Sequence, residues 1–240
     1  MVPSDTSITQ ERDNQEAVRR FMTEAFGGGD LTLVDEMISP DFIQHQPGMP
    51  SGDRESVKRL IGYLHQALPD LTYTFSFTSE YDDWRQQNVS MLDLLELHMW
   101  MTHFSDFYAK VGYNYERFDP KGYDNLALKG EKLYRSDPAH WQAALTKGVE
   151  FCAEWSRTAH KPLITTECWS VVDYKDFPLL EWGWVKELCE HGIRTACRTH
   201  QWSAMGTSNF CGPQFQGMWR DIDWHRRMTA LIHSTPLPKA

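Results

Sequence analysis

Two stretches of the chain alternate with a period of two. From Lys161 to Trp169, Leu163, Thr165, Glu167 and Trp169 fall on one side of an extended backbone, and Ile164, Thr166 and Cys168 on the other. From Met91 to Thr102, Leu94, Glu96, His98, Trp100 and Thr102 share one face, and Leu95, Leu97, Met99 and Met101 share the other. A polar inner face and an apolar outer face suit a barrel strand whose outside is covered by helices. Helical stripes flank these strands. Trp141, Leu145, Cys152 and Trp155 predict a helix over Pro138–Ala159, started by the Asp137-Pro138 pair. A second helix is expected from about Leu180 to His191, closed by Gly192, then a strand over Trp202–Thr207 and a final helix carrying Trp224, Met228, Leu231 and Ile232. Strands alternating with helices predict a parallel sheet with helical cover, in which the carboxyl ends of the strands face the ligand.

The first third of the chain reads differently. Val18, Phe21, Met22, Ala25 and Phe26 make an inward helical stripe that Gly27-Gly28-Gly29 ends, and Asp30 caps a shorter helix through Ile38. Phe42–Gln46 is expected as a brief strand carrying His45. Val57, Leu60, Ile61 and Leu64 mark a third helix, and Leu71–Phe77 a second strand. After a polar run at Thr78–Ser90 the apolar alternation begins. Between it and the long helix lies an aromatic excursion, Phe104–Tyr134, with Tyr108, Tyr113, Tyr115, Phe118 and Tyr123. A connection of that length is usually functional or partly helical.

Composition narrows the function classes. The 240 residues are 41% hydrophobic, with ten Trp and nine Tyr, enough for a sizeable core. A net charge of −9 argues against nucleic-acid or anionic-membrane partners, which select clustered Lys and Arg. No apolar run is long enough for a membrane span, and Met1–Gln10 lacks the apolar core of a signal peptide. Cys152, Cys168, Cys189, Cys197 and Cys211 are odd in number with no close pair of metal-ligand spacing, so they read as reduced thiols of a cytoplasmic protein; the functional reading given below implies no metal or organic cofactor.

Two family resemblances overlie this pattern. Phe42-Ile43-Gln44-His45-Gln46-Pro47, Gly52 and Ala67-Leu68-Pro69-Asp70-Leu71-Thr72-Tyr73 resemble the first half of a SnoaL-like domain, a cone-shaped α+β fold, over residues 11–78. It implies that His45 lines a pocket. Leu95-Glu96-Leu97-His98-Met99-Trp100, Pro162–Trp169 and Thr207-Ser208-Asn209-Phe210-Cys211-Gly212-Pro213 resemble the C-terminal part of a cellulase-like glycoside hydrolase over residues 80–235. This second resemblance implies a segment of a retaining (β/α)₈ barrel. The expected architecture is therefore α/β plus α+β: an incomplete SnoaL-like part at 1–78 and an incomplete glycosidase barrel at 79–240.

The glycosidase resemblance places Glu167 where that clan carries its nucleophile and His98 and Trp100 along the sugar cleft. Retaining hydrolysis needs a second carboxyl group about 5 Å away. The segment that carries it in the family has no counterpart here. Glu96, on the same inward face, is the substitute candidate; a structural ion pair with an arginine such as Arg198 is its alternative. Trp100, Trp169 and Trp202 are candidate stacking platforms for sugar rings or, alternatively, core, and Asn209 is a further binding candidate. The partner so implied is a β-linked carbohydrate. Two other readings stand beside it: a non-catalytic or small-molecule binder around His45, and a fused fragment without evolved activity. Strands cut from a closed barrel also leave edges, so self-association through them is expected.

Overall fold

The strands that the alternation predicts are short and run parallel. The computed structural model describes residues 13–14, 16–43, 52–67, 74, 76–77, 84–90, 92–114, 120–174, 180–207 and 216–237. It divides into two units, Met1–Tyr73 and Thr74–Ala240.

In the first unit, helix α1 spans 16–27, and its stretch Phe21–Gly27 is wound as a π-helix. Helices α2 (Thr32–Met37) and α3 (Arg54–Ala67) follow. The chain leaves α1 through Gly29 at φ 74°, a left-handed conformation, where a Cβ would also stand 3.3 Å from the His65 ring. Asp30 then accepts the Thr32 N–H at 2.9 Å, which secures the start of α2. Ala25, Leu33, Val34 and Ile61 are buried together, with Phe21, Phe26 and Val57 packed against them. Val18, expected in that stripe, is 58% exposed. The expected strand at Phe42–Gln46, His45 included, lies mostly outside the described residues, and the elements described in this unit are helical.

The second unit holds the sheet. Strands β1 (Ser76–Phe77), β2 (Leu95–Leu97), β4 (Leu163–Thr165) and β6 (Trp202–Met205) lie in the order β1-β2-β4-β6, all parallel. Beyond β2 and β4 the same two chain segments pair again as β3 (Met99–Trp100) and β5 (Cys168–Trp169). The stretch expected as one strand from Lys161 to Trp169 is thus broken by a bend at Thr166–Glu167, and the alternation across it does not hold. Ser76–Phe77, expected with the first part of the chain, pairs with Glu96 and Leu97, and the Phe77 carbonyl accepts the His98 N–H at 3.0 Å. It covers an edge of β2 that would otherwise expose its backbone donors.

Helices and a 3-10 turn surround these strands. After the turn Met101–Phe104, the aromatic excursion folds into α4 (Phe107–Val111) and α5 (Pro120–Ser136). Helix α6 spans Pro138–Ala159, with the Asp137 carboxylate accepting the His140 N–H at 3.1 Å. Helix α7 spans Gly183–Thr199, α8 Gln216–Trp219 and α9 Ile222–Ser234. Gly192, expected to end the helix after β5, instead lies inside α7. A Cβ there would stand 2.7–3.0 Å from three atoms of the Trp169 indole, so the missing side chain makes room for that ring. Gly192→Ala is expected to cost roughly 1–3 kcal/mol through this clash, read as a lowered midpoint of chemical denaturation.

All three residues of β2 are buried, as are Leu163 and Thr165 of β4, which is the pattern of a parallel sheet covered on both faces. Cys152, Cys168, Cys189 and Cys197 are buried thiols within this core and form no disulfide with one another. Among the described residues no helix is long and apolar enough to cross a membrane, and no cluster of three or more His, Cys, Asp or Glu has the geometry to hold a metal ion.

Candidate active site

The site forms where β2 passes into β3 and β4 into β5. His98 is the residue between β2 and β3, and Thr166–Glu167 is the bend between β4 and β5. The Met99 N–H donates to the Glu167 carbonyl at 3.0 Å, so the two breaks in the ladder are pinned against each other. This brings three predicted residues together. His98 Nδ1 lies 3.3 Å from Glu167 Oε2, and its Nε2 lies 3.4 Å from Glu96 Oε2. The two carboxylates flank one imidazole.

Their surroundings differ. The Glu96 side chain is 5% exposed, that of His98 18% and that of Glu167 31%. Glu96 Oε1 accepts the Thr166 hydroxyl at 2.6 Å and the Thr166 N–H at 3.3 Å. Glu96 Oε2 is buried, faces His98 and has no conventional hydrogen bond. Glu167 opens toward solvent at the strand end. Burial raises its pKa above the ordinary carboxylate value, His98 opposes that rise, and the like charge of Glu96 adds to it. Nearby, the His103 imidazole is pushed down to about 4, by desolvation first and then by His98, although part of the residue reaches solvent.

This geometry corrects two expectations about Glu96. Its partners are Thr166 and His98, whereas the Arg198 guanidinium donates to the Thr195 hydroxyl at 2.9 Å. Nor does Glu96 suit the role of second catalytic carboxyl, because an imidazole fills the space between it and Glu167 where a scissile bond would have to lie. The aromatic candidates are corrected as well. A sugar-stacking ring needs an open face, yet Trp100, Trp169 and Trp202 are 2%, 0% and 4% exposed. Trp169 lies against Gly192, and its indole N–H donates to the Gly206 carbonyl at 3.0 Å. The Trp202 indole N–H donates to the Thr165 hydroxyl at 2.9 Å. These rings support the strands from within. Asn209 lies outside the described residues.

Sequence reasoning missed the residues that fix the segment following Glu167. The Tyr113 hydroxyl donates to the Asp173 carboxylate at 2.6 Å, and the Val172 N–H donates to the Tyr108 oxygen at 2.9 Å. The two tyrosine rings pack with centroids 4.6 Å apart, and desolvation raises both phenol pKa values. The loop after the His98 strand thereby holds the loop after the Glu167 strand. The tyrosine-rich excursion was the available signal; nothing nearby in sequence pointed to Asp173. Tyr113→Phe is expected to cost about 1.5–3 kcal/mol by depriving this buried carboxylate of its donor, measured by urea denaturation against wild type.

The parallel strands under helical cover are consistent with one of the two resemblances. Residues 52–233 match the profile of the family described as cellulase-like, sugar-binding, and the chain belongs to that family. The match begins inside the segment that resembles a SnoaL-like domain, and nothing in the comparisons supports such a fusion. No curated protein matches the chain. Among solved structures, a protein of Parabacteroides distasonis ATCC 8503 described as a candidate glycoside hydrolase is similar at 46% identity, with a TM-score of 0.66. The similarity covers 76% of this chain and 49% of that one, so this chain spans about half the length of its relative.

Proposed function

We propose that this chain carries the nucleophile side of a retaining β-glycoside hydrolase. Its four parallel strands are then part of a (β/α) barrel, and Glu167 is the group that attacks the sugar. The observation that supports this most is the convergence of His98 and Glu167 at adjoining strand breaks, where parallel α/β folds place their chemistry. A Glu167 oxygen adds to the anomeric carbon of a β-linked glucan or similar glycan. The bond to the leaving oxygen breaks with its electron pair on that oxygen, and a glycosyl ester remains on Glu167. His98 holds the carboxylate in place for the attack.

The departing oxygen of a natural glycan needs a proton, and Glu96 is too enclosed to supply it. A leaving group that is stable as an anion needs none. Purified protein is therefore expected to release a stoichiometric burst of dinitrophenolate from a dinitrophenyl β-glycoside, while a methyl β-glycoside stays intact. Absence of the burst at saturating substrate would overturn the assignment of Glu167. Sugar binding that persists without a burst would point to a carbohydrate-binding protein instead.

A further inference from the structure

Glu96 is a buried carboxylate for which the proposed chemistry has no direct use. Its Oε1 is committed to the two Thr166 donors at 2.6 and 3.3 Å, which fixes the orientation of the carboxylate plane. The other oxygen is left buried without a conventional hydrogen bond, 3.4 Å from His98 Nε2. An ionised carboxylate only accepts, so its charge favours a hydrogen rather than a lone pair on the nitrogen that faces it. A neutral imidazole has one such hydrogen. If it sits on Nε2, then Nδ1 presents a lone pair to Glu167 Oε2, 3.3 Å away.

We propose that Glu96 is a positioning residue that keeps the proton of His98 on Nε2, so that Nδ1 takes the proton of Glu167 and leaves that side chain as a carboxylate. Its catalytic consequence rests on the reading of Glu167 as nucleophile. The step balances simply. The Glu167 O–H bond breaks, an Nδ1–H bond forms, and the ring becomes an imidazolium held between two carboxylates. Such a partner is needed because burial and the Glu96 charge both favour the protonated form of Glu167. Among the described residues, the titratable groups around the ring include Glu96 from β2, Glu167 from the β4–β5 bend and His103 from the 3-10 turn.

The test is the state of His98 in protein labelled with ¹⁵N-histidine, read from long-range ¹H–¹⁵N correlations and assigned by the signal lost in His98→Gln. In wild type, Nε2 is expected to carry hydrogen at every pH at which the protein is folded and Glu96 is ionised. In Glu96→Gln the amide oxygen keeps the Thr166 donors, so the NH₂ faces Nε2 and the pattern reverses to Nδ1–H. A wild-type spectrum with hydrogen on Nδ1 and a bare Nε2 overturns the proposal, as does a well-folded Glu96→Gln protein with an unchanged pattern. The wild-type spectrum decides even where the variant does not fold. The burst rate in Glu96→Gln should fall roughly 10²- to 10⁴-fold with little change in substrate affinity, as when a histidine's orienting carboxylate is neutralised. A correct tautomer in a protein that gives no burst would remove the proposed function and leave this inference standing.

Discussion

Glu167→Gln is expected to slow glycosyl transfer from an activated aryl β-glycoside on the order of 10³-fold or more. The amide keeps the size of the side chain and can still meet His98, but it is a poor nucleophile. The same substitution is expected to raise stability at neutral pH, and that separates lost chemistry from lost structure. Burial raises the Glu167 pKa above its ordinary 4.5, so within the window above that value the folded state holds a proton that the unfolded state has released. Stability from this group is therefore present at low pH and falls as pH rises through the folded pKa. Wild type carries the cost of this partly desolvated charge at pH 7; the Gln variant does not. Urea denaturation at several pH values should show the variant ahead at neutral pH and the difference closing below about pH 4.5. An inactive variant that is also less stable at pH 7 would show that Glu167 is mainly structural.

Trp184→Ala is expected to be the most damaging core substitution, at about 3–5 kcal/mol. This ring is fully buried and packs against Phe107 of α4, Tyr134 of α5 and Tyr174, with ring centroids 5.9, 5.8 and 5.2 Å away. It also occupies the space beside Gly130, where a Cβ would stand 3.2 Å from the indole. Removing it opens a cavity among groups held by three separate segments, and one of these, Tyr174, follows the Glu167 loop directly. Trp184→Phe keeps most of the contact area and should cost less than half as much. The melting temperature should fall by roughly 2–4 °C per kcal/mol for a domain of this size. A loss below 1 kcal/mol for the alanine variant would mean that the three segments hold together without it.

The sequence made the second unit readable because its helices are long and strongly striped. Pro138–Ala159 was legible to its ends, since the Asp137-Pro138 cap and the Trp141, Leu145, Cys152 and Trp155 stripe agree. Period-two reading succeeded for Glu96 and His98, but failed at Trp169, because the bend at Thr166–Glu167 resets the alternation. Gly192 was misread since a glycine late in a helical pattern resembles a stop. Its actual reason, the Trp169 ring 23 residues earlier in sequence, is a tertiary contact that no local pattern contains. The same holds for the Tyr113–Asp173 bond, which joins residues 60 positions apart. The first unit shows the expected helical stripe at Ala25 and Ile61, while nothing in the comparisons supports its family resemblance.

The central claim is that Glu167 forms a covalent bond to a sugar, and trapping tests it most directly. Incubation with a dinitrophenyl 2-deoxy-2-fluoro-β-glycoside, followed by proteolysis and mass spectrometry, should find one added fluoroglycosyl group on the peptide containing Lys161–Trp169, at Glu167. Glu167→Gln should remain unlabelled. A wild-type protein that stays unmodified while it binds the sugar, or one labelled at another carboxylate, would contradict the account.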